Sequence, residues 1–555
     1  MRRSSSLYRL TAAAGVLSLG GCNFAPRYDP PRTEPSAVFK EAVPGADAAA
    51  QGWKIAEPRD AAIRSNWWEM YEDPQLNDLE ARVAISNQTI VAAEASYRAA
   101  YALVQEAQAQ LFPTLSLVPS VTRAKSSAEV TQIGSGGAST GAAATTTTTS
   151  AAQGTSAGTH NIFAFPLEAS YQVDLWGSIR NTVAENRFSA QASAAQLANA
   201  LLSTQSTLAQ DYFQLRVADE QRRILEVTVA DYEQSLHLVR TLVENGVDSE
   251  ADIASAESQL ESAMASATDV GVARAQYEHA IAVLIGVPPA KFSIPYKRLN
   301  QPLPIIPVGV PSDLLERRPD IASAERQVAA TNAQIGVARA AFFPSLTLSA
   351  SGGYESTALS NLFNLPNRFW SVGPSLAQVL FDGGARRAAV AQARALNESQ
   401  TATYRQTVLS AFQSVEDELA ALRILSTELG QAHKATLAAK RAVELTVMLF
   451  RNGVDSYVNV ITAQNAFLAA RETELAVQLK QLSASVSLIN DLGGGWGASQ
   501  LPETERMAQH PPDAGKAPVV PAENAGPSVP NPPPMPSGEI QPDDIIKQND
   551  EATGP

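Results

Sequence analysis

The apolar positions of the chain follow two periods, and one gives way to the other with no loop between them. In 318–354, Ile321, Val328, Ile335 and Phe342 recur every seven residues along an Ala-rich stretch. That spacing predicts a helix, which Pro344 stops because its ring blocks the next helical turn. Leu346, Leu348 and Ala350 then alternate with Ser345, Thr347 and Ser349, which predicts a strand with one apolar and one polar face. The same switch occurs 231 positions earlier, where Gln110-Leu-Phe-Pro-Thr-Leu-Ser-Leu117 parallels Ala341-Phe-Phe-Pro-Ser-Leu-Thr-Leu348.

That match predicts a duplication. Val243-Glu-Asn-Gly-Val-Asp-Ser249 returns 207 positions later as Phe450-Arg-Asn-Gly-Val-Asp-Ser456. Asp174-Leu-Trp-Gly177 aligns with Leu380-Phe-Asp-Gly383 at an offset of 206. The offset falls by 25, so the first copy carries about that many extra residues, in the low-complexity Ser/Thr/Ala/Gly segment 126–158. Each copy reads helix–strand–loop–strand–long helix–turn–helix. The expected boundaries are 76–299 for the first repeat and 313–497 for the second, joined by a Pro-rich linker at 300–312.

The strands suit a membrane barrel. In 163–175, Phe163, Phe165, Leu167, Ala169, Tyr171, Val173 and Leu175 share one face, opposite Glu168, Ser170, Gln172 and Asp174. An apolar face opposite a polar one fits lipid outside and water inside. It also fits a soluble sandwich whose polar face meets bulk water. Leu115, Leu117 and Val121 repeat the pattern in the first strand, and Trp370, Val372, Leu376 and Leu380 in the fourth, where Gln378 breaks the alternation. Four strands cannot close a barrel, and lipid tolerates no open sheet edge. Two chains would give eight strands with a filled interior, and three would give twelve with a lumen. The polar face favours three.

The long helices read as walls. Residues 177–245 contain no proline, and Val229, Tyr232, Leu236, Val239 and Val243 follow a 3,4 spacing. Ile461, Leu468, Leu475, Leu482 and Ile489 recur every seven residues, with Val454 extending the series backwards. Sustained heptads predict helices supercoiled against neighbours. Each long helix reverses at Asn-Gly-Val-Asp-Ser. Gly246 and Gly453 suit a left-handed cap there, and Asp248/Ser249 and Asp455/Ser456 suit the start of the next helix.

The N-terminus reads as an address. Arg2, Arg3 and Arg9 flank a short apolar run ending Leu-Gly-Gly-Cys22, so 1–21 is expected to be a signal peptide. That ending resembles a bacterial lipobox, which implies acylation of Cys22. Asn23 is not the aspartate that commonly retains lipoproteins at the inner membrane, which points outward. Residues 22–75, with Trp67-Trp68, Met70 and Tyr71, read as a tether packed along the surface, its tryptophans for packing and not a binding cage. The single cysteine excludes disulfides within the chain. A net charge of −14 argues against nucleic acid as a partner.

His160, His237, His279, His433 and His510 never stand at i, i+3 or i+4, and no nucleophile or phosphate-loop motif is present, so neither an enzyme nor a cofactor is expected. No Met or His cluster lines an obvious path, which disfavours soft metals as cargo. The region 498–555 holds 13 of the 34 prolines without apolar periodicity and is expected to be a disordered tail.

Several motifs together resemble the outer membrane factor family, the TolC-like efflux channels, and its lipoprotein branch that OprM represents. They are Arg318-Pro-Asp-Ile with Ala-Gln-Ile-Gly-Val-Ala-Arg-Ala-Ala-Phe-Phe-Pro-Ser-Leu, Asp174-Leu-Trp-Gly, Phe381-Asp-Gly-Gly, the two Asn-Gly-Val-Asp-Ser turns and Leu492-Gly-Gly-Gly-Trp496. The resemblance covers roughly 22–497. It implies an α+β membrane protein whose homotrimer forms a 12-stranded β-barrel, with an extracellular loop expected at about 126–160, continued by an α-helical periplasmic barrel. It also implies a periplasmic adaptor and an inner-membrane transporter of RND type as partners, and a passive exit path for drugs or other small molecules. A duct for protein secretion or metal-ion export, and a structural coiled-coil lipoprotein without a channel, are the competing readings.

The resemblance places aperture and adaptor contact at the hairpin tips, around Gly246, Asp248, Asp252, Gly453, Asp455, Val458 and Thr462. Asp252 matches the family's aspartate, and in a trimer would form an acidic ring; Ser249-Glu-Ala-Asp252 equally fits a capping box. In the second tip Val458, Thr462 and Asn465 stand where relatives commonly carry leucine, aspartate and arginine. An aperture held by hairpin packing more than by ion pairs is the expectation, with Val458 a candidate apolar constriction.

Overall fold

The structure, a computed structural model, describes residues 23–32, 39–41, 66–125, 159–246, 248–299, 302–306 and 314–502. The chain divides into Met1–Pro511 and Pro512–Pro555, and every described residue lies in the first unit. Cys22, the signal peptide, segment 126–158, most of the 300–312 linker and the tail beyond 502 lie outside the described residues.

A single 3-10 turn, Trp67–Tyr71, leads into α1 (Pro74–Ser86) and α2 (Gln88–Ala109). Strands β1 (Thr114–Leu117), β2 (Ser120–Lys125) and β3 (Thr159–Val173) follow, then α3 (Ser178–Glu244) and α4 (Glu250–Leu284). The second half repeats the order with α5 (Pro319–Ala340), β4 (Ser345–Ser356), β5 (Arg368–Ala377), α6 (Ala385–Arg451) and α7 (Tyr457–Asp491).

Corresponding helices have equal lengths: 22 residues for α2 and α5, 67 for α3 and α6, and 35 for α4 and α7. At 1.5 Å per residue, α3 and α6 are each about 100 Å long. Ser178 and Ala385 open the long helices 207 residues apart, the same offset as the tips. Gly177 therefore corresponds to Gly384, one residue beyond the sequence alignment. Both are left-handed N-caps, with φ of 76° and 96°.

Helical heptad positions are buried or, at Ile461 and Leu468, half-buried within the helices, and exposed where the series runs past a helix end. Ile321, Val328 and Ile335 are buried on α5, but Phe342 falls past its last residue and is exposed. Leu475, Leu482 and Ile489 are buried on α7, whereas Val454 sits in the turn and is exposed. The main core lies where α1, α3, α4, α6 and α7 meet, around Tyr71, Tyr212, Phe213, Ile281, Val415 and Leu488. Trp67 and Trp68 belong to it, so this end of the N-terminal stretch is core and not surface wrapping.

Beside that core, Asp219 is shared by buried Arg216 at 2.7 Å and Arg274 at 2.8 Å. Removing one partner would strand a buried charge, so the cluster ties α4 firmly to α3.

The N-terminal segment runs along the second repeat. Phe24 stacks on Phe343 with ring centroids 4.3 Å apart, and Asn332 Nδ2 donates to Pro26 O at 2.9 Å. Gly336 permits the approach, since a Cβ there would lie 2.9 Å from Ala25 Cα. Farther along, Glu416 accepts from the Lys40 and Glu41 backbone N–H groups at 2.7 and 2.9 Å, and Arg423 donates to Glu41 at 2.6 Å.

The sheet is antiparallel in the order β1/β2–β3–β4–β5, with β1 and β2 pairing successively along β3. They are one strand interrupted at Val118-Pro119, and Val118 N–H still reaches Pro166 O at 3.2 Å. The sheet is thus four strands wide. The outer edges of β1/β2 and of β5 have no partner strand among the described residues.

Candidate functional site: the sheet face and the helical tips

Strand register assigns each side chain to a face. Leu115, Leu117 and Val121 lie opposite Ala169, Leu167 and Phe163. Ala169, Leu167 and Tyr171 lie opposite Ala350, Gly352 and Leu348, which oppose Val372, Trp370 and Pro374. The apolar residues of all four strands therefore share one face. On the other face Ser116, Glu168, Ser351 and Ser371 form a continuous polar row, with the Ser351 and Ser371 hydroxyls 2.8 Å apart.

Gln378 does not disturb this alternation, because β5 ends at Ala377 and the Gln378 amide donates to Phe342 O at 3.1 Å. Among the described residues no second sheet or helix packs on the apolar face: Leu115, Val121, Trp370, Val372 and Leu376 are all exposed. A soluble sandwich would cover them with a second sheet. The strands are 10 to 15 residues long, β1 and β2 counted together, long enough to cross a bilayer when tilted. Among the described residues no helix is long and apolar enough to do so.

At the opposite end of the long helices lie the two tips. In the first, Gly246 has a φ of 74° and its N–H donates to Val243 O at 2.9 Å, while the Asn245 amide donates to Thr241 O at 2.6 Å. Glycine is the residue that accepts this left-handed turn without strain. Ser249 stands at the N-cap of α4, but its hydroxyl makes no bond to the helix backbone. It donates instead to Asp252 Oδ2 at 2.6 Å, so the expected capping box is replaced by a side-chain pair.

That bond holds the Asp252 carboxyl below the usual carboxylate range, while burial and then the neighbouring Asp252 push Asp248 up. Asp252 therefore holds its charge to lower pH than Asp248, which takes up a proton more readily.

In the second tip, Gly453 repeats the turn with φ 72° and a 2.9 Å bond to Phe450 O. Asp455 Oδ1 accepts from Ser456 N–H at 2.9 Å and from the Asn459 amide at 2.5 Å, so it is spent locally. Val458 is exposed and unpacked. Thr462 returns its hydroxyl to Val458 O of its own helix at 2.8 Å. The structure thus does not bring Asp252, Asp455 and Thr462 into contact with one another within one chain.

Just behind the tips the two hairpins join; the sequence series included Leu236 and Val239 but not the partners they meet. Leu236, Val239 and Ala256 of the first hairpin cluster with Phe450, Tyr457 and Val460 of the second. Above them the Gln259 amide donates to Asn465 Oδ1 at 2.5 Å, and the Gln464 amide to Ser235 Oγ at 3.2 Å. These bridges are neutral. The Tyr457-Val460-Gln464 spacing of three and four carried the signal, one position ahead of the heptad series that sequence favoured. Between α3, α6 and α7 a groove of about 530 Å³ runs beside this cluster, lined by Arg223, Lys440, Arg451 and Arg471 together with Asp231 and Glu444.

Comparison with known proteins agrees with this geometry. The family model for outer membrane efflux proteins matches residues 81–287 and 310–494, more than half of the chain. The pyoverdine export outer membrane protein OpmQ of Pseudomonas aeruginosa is 31% identical over 454 residues, covering 81% of this chain and 92% of its own. The probable efflux pump outer membrane protein TtgC of Pseudomonas putida is 29% identical over 489 residues, covering 88% and 95%. The structure of the outer-membrane channel OprN superposes with a TM-score of 0.74 at 26% identity, over 86% of this chain and 100% of that one. With an exposed apolar sheet at one end of paired 67-residue helices, the chain belongs to the outer membrane efflux protein family and is an α+β outer-membrane channel of an efflux system.

Proposed function

We propose that three copies of this chain close a 12-stranded barrel in the outer membrane, and that their helices line one exit duct through the periplasm. The observation that carries this reading is the four-stranded sheet with an exposed apolar face, a polar face and two free edges. Edges cannot stay unpaired in hydrocarbon, and joining β5 of one chain to β1/β2 of the next satisfies them. Cys22 would carry the acyl group that holds the N-terminal segment to the membrane, where Asn23–Pro26 contacts lead away along α5 and α3.

The tips form the aperture in this reading. The apolar cluster around Val460 and the neutral Gln259–Asn465 bridge hold the two hairpins of each chain together, and Asp252 supplies a ring of three negative charges. The groove beside the cluster and the tips, where basic and acidic side chains alternate with apolar ones, is the surface for a periplasmic adaptor, which would connect the duct to an inner-membrane transporter. Small organic molecules are the cargo class, in line with the export named for OpmQ and the efflux named for TtgC. Native mass measurement and planar-bilayer recording test the reading: a trimer with stepwise conductance is expected. A stable monomer, or a trimer without conductance, would overturn it.

A further inference from the structure

The loop 357–367 joins β4 to β5 at the end of the sheet farthest from the helices. Five of its ten backbone N–H groups are paired within the loop or with Ser356. Asn361, Leu362, Asn364 and Asn367 N–H groups donate to Ala358, Leu359, Asn361 and Asn364 carbonyls at 2.9 to 3.3 Å. The Asn367 amide adds a 2.6 Å bond to Asn361 O, and Ser356 Oγ accepts from Ala358 N–H at 3.2 Å. Each donor paired in this way can enter a low-dielectric zone without being stranded.

Its side chains show which way it folds. The Phe363 ring meets Phe165 and Tyr354 edge-on, with centroids 5.8 and 5.6 Å apart. Phe165 and Tyr354 are a cross-strand pair on the apolar face. The loop is therefore laid over the apolar face, not across the polar one. Leu359 (64%), Phe363 (63%) and Leu365 (75%) remain exposed there and extend the apolar band beyond the strands. Arg368 opposes Tyr354 on the same face, is exposed, and has no carboxylate partner among the described residues.

We propose that this loop and Arg368 form a lipid-binding collar at the outer leaflet, the apolar side chains entering the acyl-chain border and the guanidinium meeting a phosphorylated lipid head group. The occupant follows from continuity with the sheet face, so the proposal rests on the reading of that face as lipid-facing. A guanidinium at the border of acyl chains pairs with phosphate through charge-assisted bonds that an ammonium or amide cannot match.

The test uses the full chain in vesicles of phosphatidylcholine with and without lipopolysaccharide. Spin labels are placed at Leu365→Cys, Val372→Cys and Ser371→Cys, with the unsubstituted chain as labelling blank. Labels at 365 and 372 are expected to collide with dissolved oxygen and be shielded from an aqueous nickel chelate, and the label at 371 to do the reverse. If 372 also favours the chelate, the lipid-facing sheet is wrong. If 372 behaves as expected while 365 favours the chelate, or is shielded from both reagents, the sheet reading stands and the collar falls.

For the head group, Arg368→Gln is expected to lower retention of lipopolysaccharide about fivefold, the factor for about 1 kcal/mol per basic residue at an anionic surface. With phosphatase-treated lipid the two chains should not differ. Equal retention of intact lipid by both would overturn the phosphate contact.

Discussion

Val460→Ala should open the duct, and the size of the effect follows from its packing. Val460 is 2% exposed, in the cluster that joins Leu236, Val239 and Ala256 of one hairpin to Phe450 and Tyr457 of the other. The substitution removes two methyl groups, about 1.6 kcal/mol at about 0.8 kcal/mol per buried carbon, before any cavity term. If the hairpins part on opening, the closed state alone loses that energy, and the closed-to-open ratio falls about 15-fold per protomer. Three protomers moving together would multiply the shift to about 3 × 10³-fold.

Asp252→Asn removes a charge whose direct partner is Ser249 of the same tip, so it should alter cation selectivity with little change in open time. Single-channel recording in planar bilayers reads both, with native mass confirming that each variant remains assembled. Unchanged open time in Val460→Ala, together with a large opening in Asp252→Asn, would refute the packing argument and show an electrostatic lock.

Cys22→Ser should abolish incorporation of radiolabelled palmitate and weaken outer-membrane retention; labelling that persists would refute acylation at that residue. Removing about 25 residues from segment 126–158, the excess of the first repeat, should leave assembly intact by native mass, because surface loops tolerate deletion; loss of assembly would make the segment structural. Burial, then the Asp491 and Asp417 carboxylates, push Glu418 from the usual 4.5 up to about 7. The folded state then binds the extra proton between about 4.5 and 7, so its stability should fall as pH rises through that window and level off above it. Glu418→Gln should remove that fall in thermal melts, and an unchanged pH profile would refute the burial argument.

Local pattern was readable and long-range partnership was not. Helix, strand and turn each leave a periodic trace within a few residues, so the two repeats, the polar and apolar strand faces and the glycine turns at Gly246 and Gly453 could be read directly. The misjudged positions lie at ends. Phe342 and Val454 continue a heptad on paper, but Pro344 and the Asn-Gly turn had already ended the helices that would bury them. Gln378 looked like a break in the fourth strand because its end at Ala377 leaves no trace in composition. The residues that join the hairpins could not be paired, since Gln259 and Asn465 are 206 positions apart and neither belongs to an apolar series.

The replaced residues of the second tip acquire a physical meaning from those partners. An arginine at 465 would need a carboxylate, and Thr462 in place of an aspartate offers a hydroxyl already given to Val458 O. Asn465 accepts from Gln259, and from the Tyr232 hydroxyl at 3.5 Å, so α7 is held to both helices of the first hairpin without charge. Neutral bridges between exposed amides contribute about 1 kcal/mol each, less than the apolar cluster beneath them. They are also nearly indifferent to salt, whereas an ion pair at the same exposed place would be screened within about 10 Å at 0.1 M. An aperture built this way should keep its closed fraction as ionic strength rises, and its control passes from charge to whatever can prise Phe450, Tyr457 and Val460 from Leu236 and Val239.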